Sequence, residues 1–410
     1  MQVGIEDINA YGGRAFLDIR TLFQKRGLDL ERFGNLMMER KAVNLPCEDA
    51  VTNGVNAAKP IIDRLKEAER SRIEMVIASS ESGIDFGKSL STYIHHYLGL
   101  DRRCRLFEIK QACYGGTAAL QMAANFVASA ASPGAKALVV ATDTARAAAK
   151  LTYAEPSQGT GAVAMLISEK PDVFELDFGA NGYWGYEVMD TCRPTPELET
   201  GDPDLSLLSY LDCLEKAFSV YADRVEGVDY WETFDYLAFH TPFAGMVKGA
   251  HRMMMRKFKR AGNAETEQDF EKRVLPSLRH CVQVGNIYSA TIFLALCGIL
   301  ESADCRTPRR VGCFAYGSGC SSEFFSGCIT AQGQARLRLH RLTETLASRH
   351  PLSMAEYDDL LDQNAEWTFG IQERRMDRTR FASLYQEQFA NQGLLVLDGI
   401  RNYHREYVWS

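Results

Sequence analysis

Three side chains have the types and settings of an acyl-transfer site. Cys113 lies in Phe107-Glu108-Ile109-Lys110-Gln111-Ala112-Cys113-Tyr114-Gly115-Gly116-Thr117, where an apolar stretch gives way to the alanine-rich run TAALQMAANFVASAA. A thiol at a helix start meets free backbone N–H groups and the positive end of the helix dipole, which favour a thiolate and can hold an oxyanion. Gly115 and Gly116 leave room for a slender ligand arm. Glu81 directly follows the apolar run EMVIASS. Desolvation there raises a carboxyl toward the range of a useful general base or acid. His240 closes the run Tyr236–Phe239, before the turn Thr241-Pro242-Phe243. The C-terminal end of a strand is where open α/β sheets assemble their sites.

Each of these also has a plain structural reading: a buried thiol, a loop-start acid, a half-buried imidazole. Two further loops add polar groups. Asn286, in Gln283-Val284-Gly285-Asn286-Ile287-Tyr288-Ser289-Ala290, offers an amide at the start of an apolar helix. Tyr316 and Ser318, in Tyr316-Gly317-Ser318-Gly319, follow the run VGCFA among small residues that allow close backbone contact. The glycines there do not form a phosphate cradle, because no Lys-Ser/Thr ending follows them. The other histidines (95, 96, 251, 280, 340, 350 and 404) sit in charged or helical surroundings and read as surface residues.

The elements that must position these groups alternate along the chain. Apolar runs predict strands over 74–80, 137–143, 161–168, 173–179, 236–240 and 311–317. Longer patterns predict helices near 49–68, 89–98, 114–131, 205–224, 244–260, 264–278, 290–300 and 354–363. The alternation predicts a layered α/β fold. The theme of strand, small-residue helix and strand pair recurs, suggesting two halves, residues 1–170 with the nucleophile and 171–410 with the histidine. The polar stretch CRPTPELETGDPD (192–204) reads as the crossover between them.

Composition narrows the classes. A chain of 410 residues with 46% hydrophobic content supports one large or two intimate cores. A net charge of -7 gives no reason to approach nucleic acid or an anionic membrane. No apolar run has the length of a bilayer span, and the N-terminus lacks a secretory pattern, so a cytoplasmic protein is expected. The eleven cysteines include no CxxC pair, so no metal site is expected and most should be buried thiols.

Taken together, the segments SSESGID (79–85), KQACYGGTAAL (110–120), AEPSQGTGAVAML (154–166), FHTPFAGMVKGA (239–250), VGNIYSA (284–290) and YGSGCSSEFF (316–325) resemble 3-hydroxy-3-methylglutaryl-CoA synthase, of the thiolase-like superfamily, over nearly the whole chain. The resemblance implies a duplicated five-layer αβαβα fold, commonly homodimeric. It also implies that Cys113 is acetylated, that Glu81 removes a proton from the acetyl methyl group, and that His240 positions and polarises the acceptor ketone. Asn286, Ser318 and Tyr316 would contact the acceptor. No permanent cofactor is implied, only the phosphopantetheine arm of an acyl carrier protein, or CoA.

The segment from Leu36-Met37-Met38 to Asn56-Ala57-Ala58-Lys59-Pro60 resembles the branch that serves polyketide β-branching. Where CoA-using relatives place a Lys two residues after the aromatic of the His-x-Pro-aromatic motif, this chain has Gly245, which removes an ammonium suited to a nucleotide phosphate. The basic cluster Arg252, Arg256, Lys257, Lys259 and Arg260 could face an acidic carrier protein, or be a solvated helix face. The leading expectation is thus an enzyme that takes acetyl from a donor carrier protein and adds it to a β-ketoacyl chain on an acceptor carrier protein. The alternatives are a mevalonate-pathway enzyme using acetyl-CoA and acetoacetyl-CoA, with Lys248 replacing the missing Lys, and a silent scaffold that docks carrier proteins.

Overall fold

The computed structural model describes residues 2–367 and 369–410. Its main sheet contains β1 (Gly4–Tyr11), β2 (Ile73–Ser79), β3 (Arg105–Ile109), β4 (Lys136–Asp143), β5 (Gly161–Ser168), β6 (Phe174–Gly185), β7 (Tyr236–Phe239), β8 (Arg309–Gly317) and β9 (Ser321–Ile329). Their spatial order is β7-β8-β9-β6-β1-β5-β4-β2-β3. Strands β1 and β6 meet over only two residue pairs, Gly4 with Glu175 and Ile5 with Phe174. That narrow seam divides the sheet into two broad halves.

The principal helices are α1 (Ala50–Ile62), α2 (Leu90–Tyr97), α3 (Gly115–Ala128), α4 (Pro203–Arg224), α5 (Ala244–Met254), α6 (Leu275–Val284), α7 (Thr291–Ser302) and α8 (Met354–Ala365). Strand alternation assigns their layers. Ile77, Val139 and Met165 of the first half share one core with Val311, Cys313 and Ala315 of the second, and Leu120 of α3 and Phe293 of α7 lie in that core. The opposite face of the first half, Val76, Val140 and Ala164, packs on α1 and α2. The opposite face of the second, Phe239, Phe314 and Phe324, packs on α4 and α5. The molecule is therefore layered helix, sheet, helix, sheet, helix. No helix among the described residues is long and apolar enough to cross a membrane, and among them no three His, Cys, Asp or Glu gather as metal ligands.

Several sequence expectations change. Strand β1 carries acids in its centre, which hides its apolar pattern, and a bulge between Ile5 and Asp7 breaks the alternation. Both acids are buried with partners: Glu6 with Lys136 at 2.7 Å and Asp7 with His340 at 2.7 Å. His340, His251 and His280 are accordingly buried side chains paired to Asp7, Asp269 and Glu301, not surface residues. The helix expected to run to Arg260 keeps α geometry only to Met254, and a wider turn carries Met255–Lys259.

The chain's last segment returns to the first half. Strands Leu395–Arg401 and His404–Trp409 form a hairpin against α1. Asn56 exchanges two hydrogen bonds with the Leu395 backbone, at 2.8 and 3.1 Å. Asp49 caps α1 through a reciprocal bond with Thr52 and also accepts from Arg405 and the Tyr407 hydroxyl.

Candidate active site

The nucleophile turn is built by small residues and strain. Ala112 has φ +43°, an unfavourable value for a residue with a Cβ, just before Cys113. The N–H groups of Tyr114 and Gly115 bond to the carbonyls of Gln111 and Ala112, closing the turn into α3. These two donors are therefore used inside the turn. Gly317, at the end of β8, lies against the same turn. A Cβ there would stand 2.6 Å from both the Gln111 oxygen and the Tyr114 nitrogen.

Cys113 Sγ donates to Glu81 Oε1 at 3.4 Å. Burial pushes the thiol well above its ordinary range, and the Glu81 carboxylate adds to the effect. The helix start thus does not produce a resting thiolate; the thiol carries a proton that points at a carboxylate. Glu81 Oε2 in turn lies 3.4 Å from the Arg193 guanidinium, so the acid that the sequence places in apolar surroundings has a counter-ion. The Glu81 backbone is clamped as well. Its carbonyl accepts from Arg146 at 3.0 Å and Arg193 at 2.9 Å, and its N–H donates to Asp143 at 2.8 Å.

Asp143 ends β4 fully buried beneath this loop. Ser80 and Ser82 also donate to its Oδ1, while Oδ2 has no partner. Burial, then the Glu81 charge, push its carboxyl up to about 7. Arg193 is further held by Glu199 at 2.8 Å and lies 4.7 Å over the Tyr288 ring. Tyr288 itself adopts φ +53°. Arg193 and Glu199 fall in the stretch read as a crossover, which instead folds onto Glu81. No local pattern marks that role; an arginine among prolines is the sole cue.

The second half brings its groups in from the ends of β7 and β8. His240 N–H bonds to the Phe314 carbonyl at 2.7 Å, and the Tyr210 hydroxyl holds the His240 carbonyl at 2.8 Å. The imidazole is 2% exposed and its Nδ1 has no partner. Burial lowers it to about 3, so it is neutral across the physiological range. Asn286 Oδ1 accepts from the Tyr288 N–H at 2.9 Å and Thr291 at 3.1 Å, which turns its NH2 outward as a donor. The Asn286 backbone bonds to Ser157 and Gly159, tying this loop to the one before β5. The Ser318 carbonyl accepts from Gln111 at 3.4 Å, beside the nucleophile turn.

Tyr316 is placed differently. Alternation along β8 directs it into the outer core of the second half, where its hydroxyl donates to Asp190 at 2.7 Å. Asp190 also accepts from the Gly319 N–H, so Tyr316 braces the Ser318 loop from behind. The basic cluster belongs to the outer helical layer and is largely paired internally: Lys257 with Glu215, Lys259 with Glu265, and Arg256 with Asn263. Lys248 is likewise taken by Glu267 at 2.5 Å. Gly245 has a packing cause, because a Cβ there would overlap the Asn35 carbonyl oxygen.

The chain is similar to known proteins over its whole length. Residues 4–172 match the hydroxymethylglutaryl-coenzyme A synthase N-terminal family, and residues 253–405 match its C-terminal family. The chain is 54% identical, over 100% of its length and 99% of the relative's, to the polyketide biosynthesis 3-hydroxy-3-methylglutaryl-ACP synthase PksG of Bacillus subtilis. It superposes with a TM-score of 0.97 and 57% identity, covering 100% of both chains, on the HMG synthase of the curacin biosynthetic pathway crystallised with apo donor-ACP. MvaS in complex with 3-hydroxy-3-methylglutaryl coenzyme A is more distant, with a TM-score of 0.85 and 30% identity over 100% of this chain and 99% of that one.

Proposed function

Because the chain belongs to the hydroxymethylglutaryl-coenzyme A synthase family, we propose that it is a condensing acyltransferase that installs a β-branch on a carrier-bound polyketide. A donor acyl carrier protein supplies the acetyl group, and a second carrier protein holds the β-ketoacyl acceptor. The observation that carries this reading is the Cys113 thiol directed at Glu81, 3.4 Å away, in a chain so similar to carrier-protein-dependent enzymes.

The steps balance on these residues. Cys113 Sγ attacks the donor thioester as its proton passes to Glu81, and the pantetheine thiol leaves with that proton. Glu81 then takes a proton from the methyl of the acetyl group on Cys113, which stands where the thiol proton was. The resulting enolate carbon bonds to the acceptor's β-carbon, and the ketone oxygen takes up the proton that Glu81 removed and becomes the hydroxyl. His240, held neutral, donates an N–H to that oxygen and polarises the carbonyl. Asn286 offers its NH2 to the acceptor thioester. Water finally cleaves the Cys113 thioester and leaves a 3-hydroxy-3-carboxymethyl product on the acceptor.

The internal pairing of Lys248 and the absence of space at Gly245 weigh against a CoA nucleotide site of the kind expected for the mevalonate enzyme. The enzyme is expected to act in the cytoplasm as a homodimer. Intact mass measurement after mixing with acetyl-loaded carrier protein should show one acetyl group on Cys113, and acetyl-CoA should give far less. Glu81→Gln should keep acetylation and abolish carbon–carbon bond formation; a variant that condenses normally would remove Glu81 from the proposed role.

A further inference from the structure

A β-ketoacyl thioester has its pantetheine arm on one side of the ketone and the rest of its acyl chain on the other. Acetoacetyl has only a methyl group there, but a polyketide has a long tail. If the arm and the acetylated Cys113 occupy one approach to the ketone, the tail must leave by another.

A cavity of about 370 Å³ lies behind the Glu81 loop. Ser82, Gly83, Thr144 and Arg146 form its near wall. Arg146 bonds to the Glu81 carbonyl and Ser82 to Asp143 at 2.9 Å, so this wall is bonded directly to the loop that carries Glu81. The far wall is α8 and the segment after it, through Leu361, Ala365, Trp367 and Phe369. Its volume lies within the range of roughly 300–1,000 Å³ usual for small-molecule sites.

The charges around this cavity have partners within the chain. Asp49 is paired with Arg405 at 3.0 Å, Lys150 with Asp362 at 3.4 Å, and Glu48 with the Tyr11 hydroxyl at 2.6 Å. Glu197 accepts from the Phe369 N–H at 3.1 Å, and Arg146 is taken by the carbonyls of Glu81 and Pro196. The apolar part of the lining, the larger share, comes from Ile84, Ala145, Ala147, Pro196, Leu361 and Ala365. Phe86, 89% exposed, rests on Phe369 with ring centroids 4.7 Å apart and extends that surface outward.

We propose that this cavity receives the distal, uncharged part of the acceptor's acyl chain and so sets which β-ketoacyl chains are branched. The inference rests on the condensing reaction proposed above. Filling the cavity from opposite walls with Ala147→Trp and Ala365→Trp, both at solvent-accessible positions, should leave Cys113 acetylation by acetyl-loaded carrier protein unchanged.

Condensation should then be followed with acetoacetyl and 3-oxodecanoyl carrier proteins. Each variant is expected to retain kcat/KM for the short acceptor and to lose about tenfold for the long one, equivalent to about 1.4 kcal/mol. Equal loss with both acceptors, or no loss with either, overturns the assignment. A change in oligomeric state without discrimination between acceptors also overturns it, because a second copy of the chain would then cover this surface. If the unsubstituted enzyme is acetylated but condenses neither acceptor, the proposed function fails first and the cavity assignment falls with it.

Discussion

His240 shows how burial selects a chemical role. An exposed imidazole would be partly protonated near neutrality and would bring a full positive charge to the end of β7. The 2% exposure of His240 keeps it neutral, with an N–H to donate and a pKa lowered to about 3. The linkage has a definite sign. Below the unfolded value near 6.5 the unfolded chain binds a proton that the folded chain does not, so this residue makes stability fall as pH falls. Its contribution to the loss between pH 7 and pH 5 is about 2 kcal/mol. Urea unfolding at the two pH values should show a smaller drop for His240→Asn than for the native enzyme. An NMR titration of His240 with a midpoint near 6.5 would contradict its neutral role.

At the scale of elements, the site depends on how closely β8 approaches the Cys113 turn. Gly317→Ala inserts a methyl group 2.6 Å from two backbone atoms, an overpacking cost of about 1–3 kcal/mol. Acetylation of Cys113 should slow by about tenfold, with a near-native circular dichroism spectrum; an unchanged rate would show that the turn yields without consequence. The same elements explain what the sequence made legible. Strand β5 is buried on both faces, so its unbroken run GAVAMLIS marks its own bounds, and the small residues after Cys113 announce α3. Strand β1 is hidden because Glu6 and Asp7 are neutralised by Lys136 and His340, more than a hundred residues away. Arg193 escapes for the same reason, since its partner Glu81 is fixed only by the tertiary fold. Tyr316 shows the converse error: its motif was legible, but the strand's two-residue period turns it away from Cys113.

At the scale of the molecule, the first half is completed by residues distant in sequence. Asp49 joins an N-cap, a largely buried ion pair with Arg405 and the Tyr407 hydroxyl. Asp49→Ala removes the cap and leaves two buried groups unpaired, so it should cost about 3 kcal/mol, read as a lower urea midpoint. A loss below about 1 kcal/mol would indicate that the hairpin contributes little to holding α1. The position of β1 has a consequence in time. It is synthesised early but lies in the middle of the sheet, antiparallel to β5 from Gly4 with Ser168 to Tyr11 with Ala162. At about 5–20 residues per second, it leaves the ribosome roughly 10–30 s before its partner exists. A strand with so long a wait would be a template for wrong pairing if it were apolar throughout. The acids at its centre, an apparent flaw in a core strand, keep it solvated and unpaired until Lys136 and the remainder of the sheet arrive.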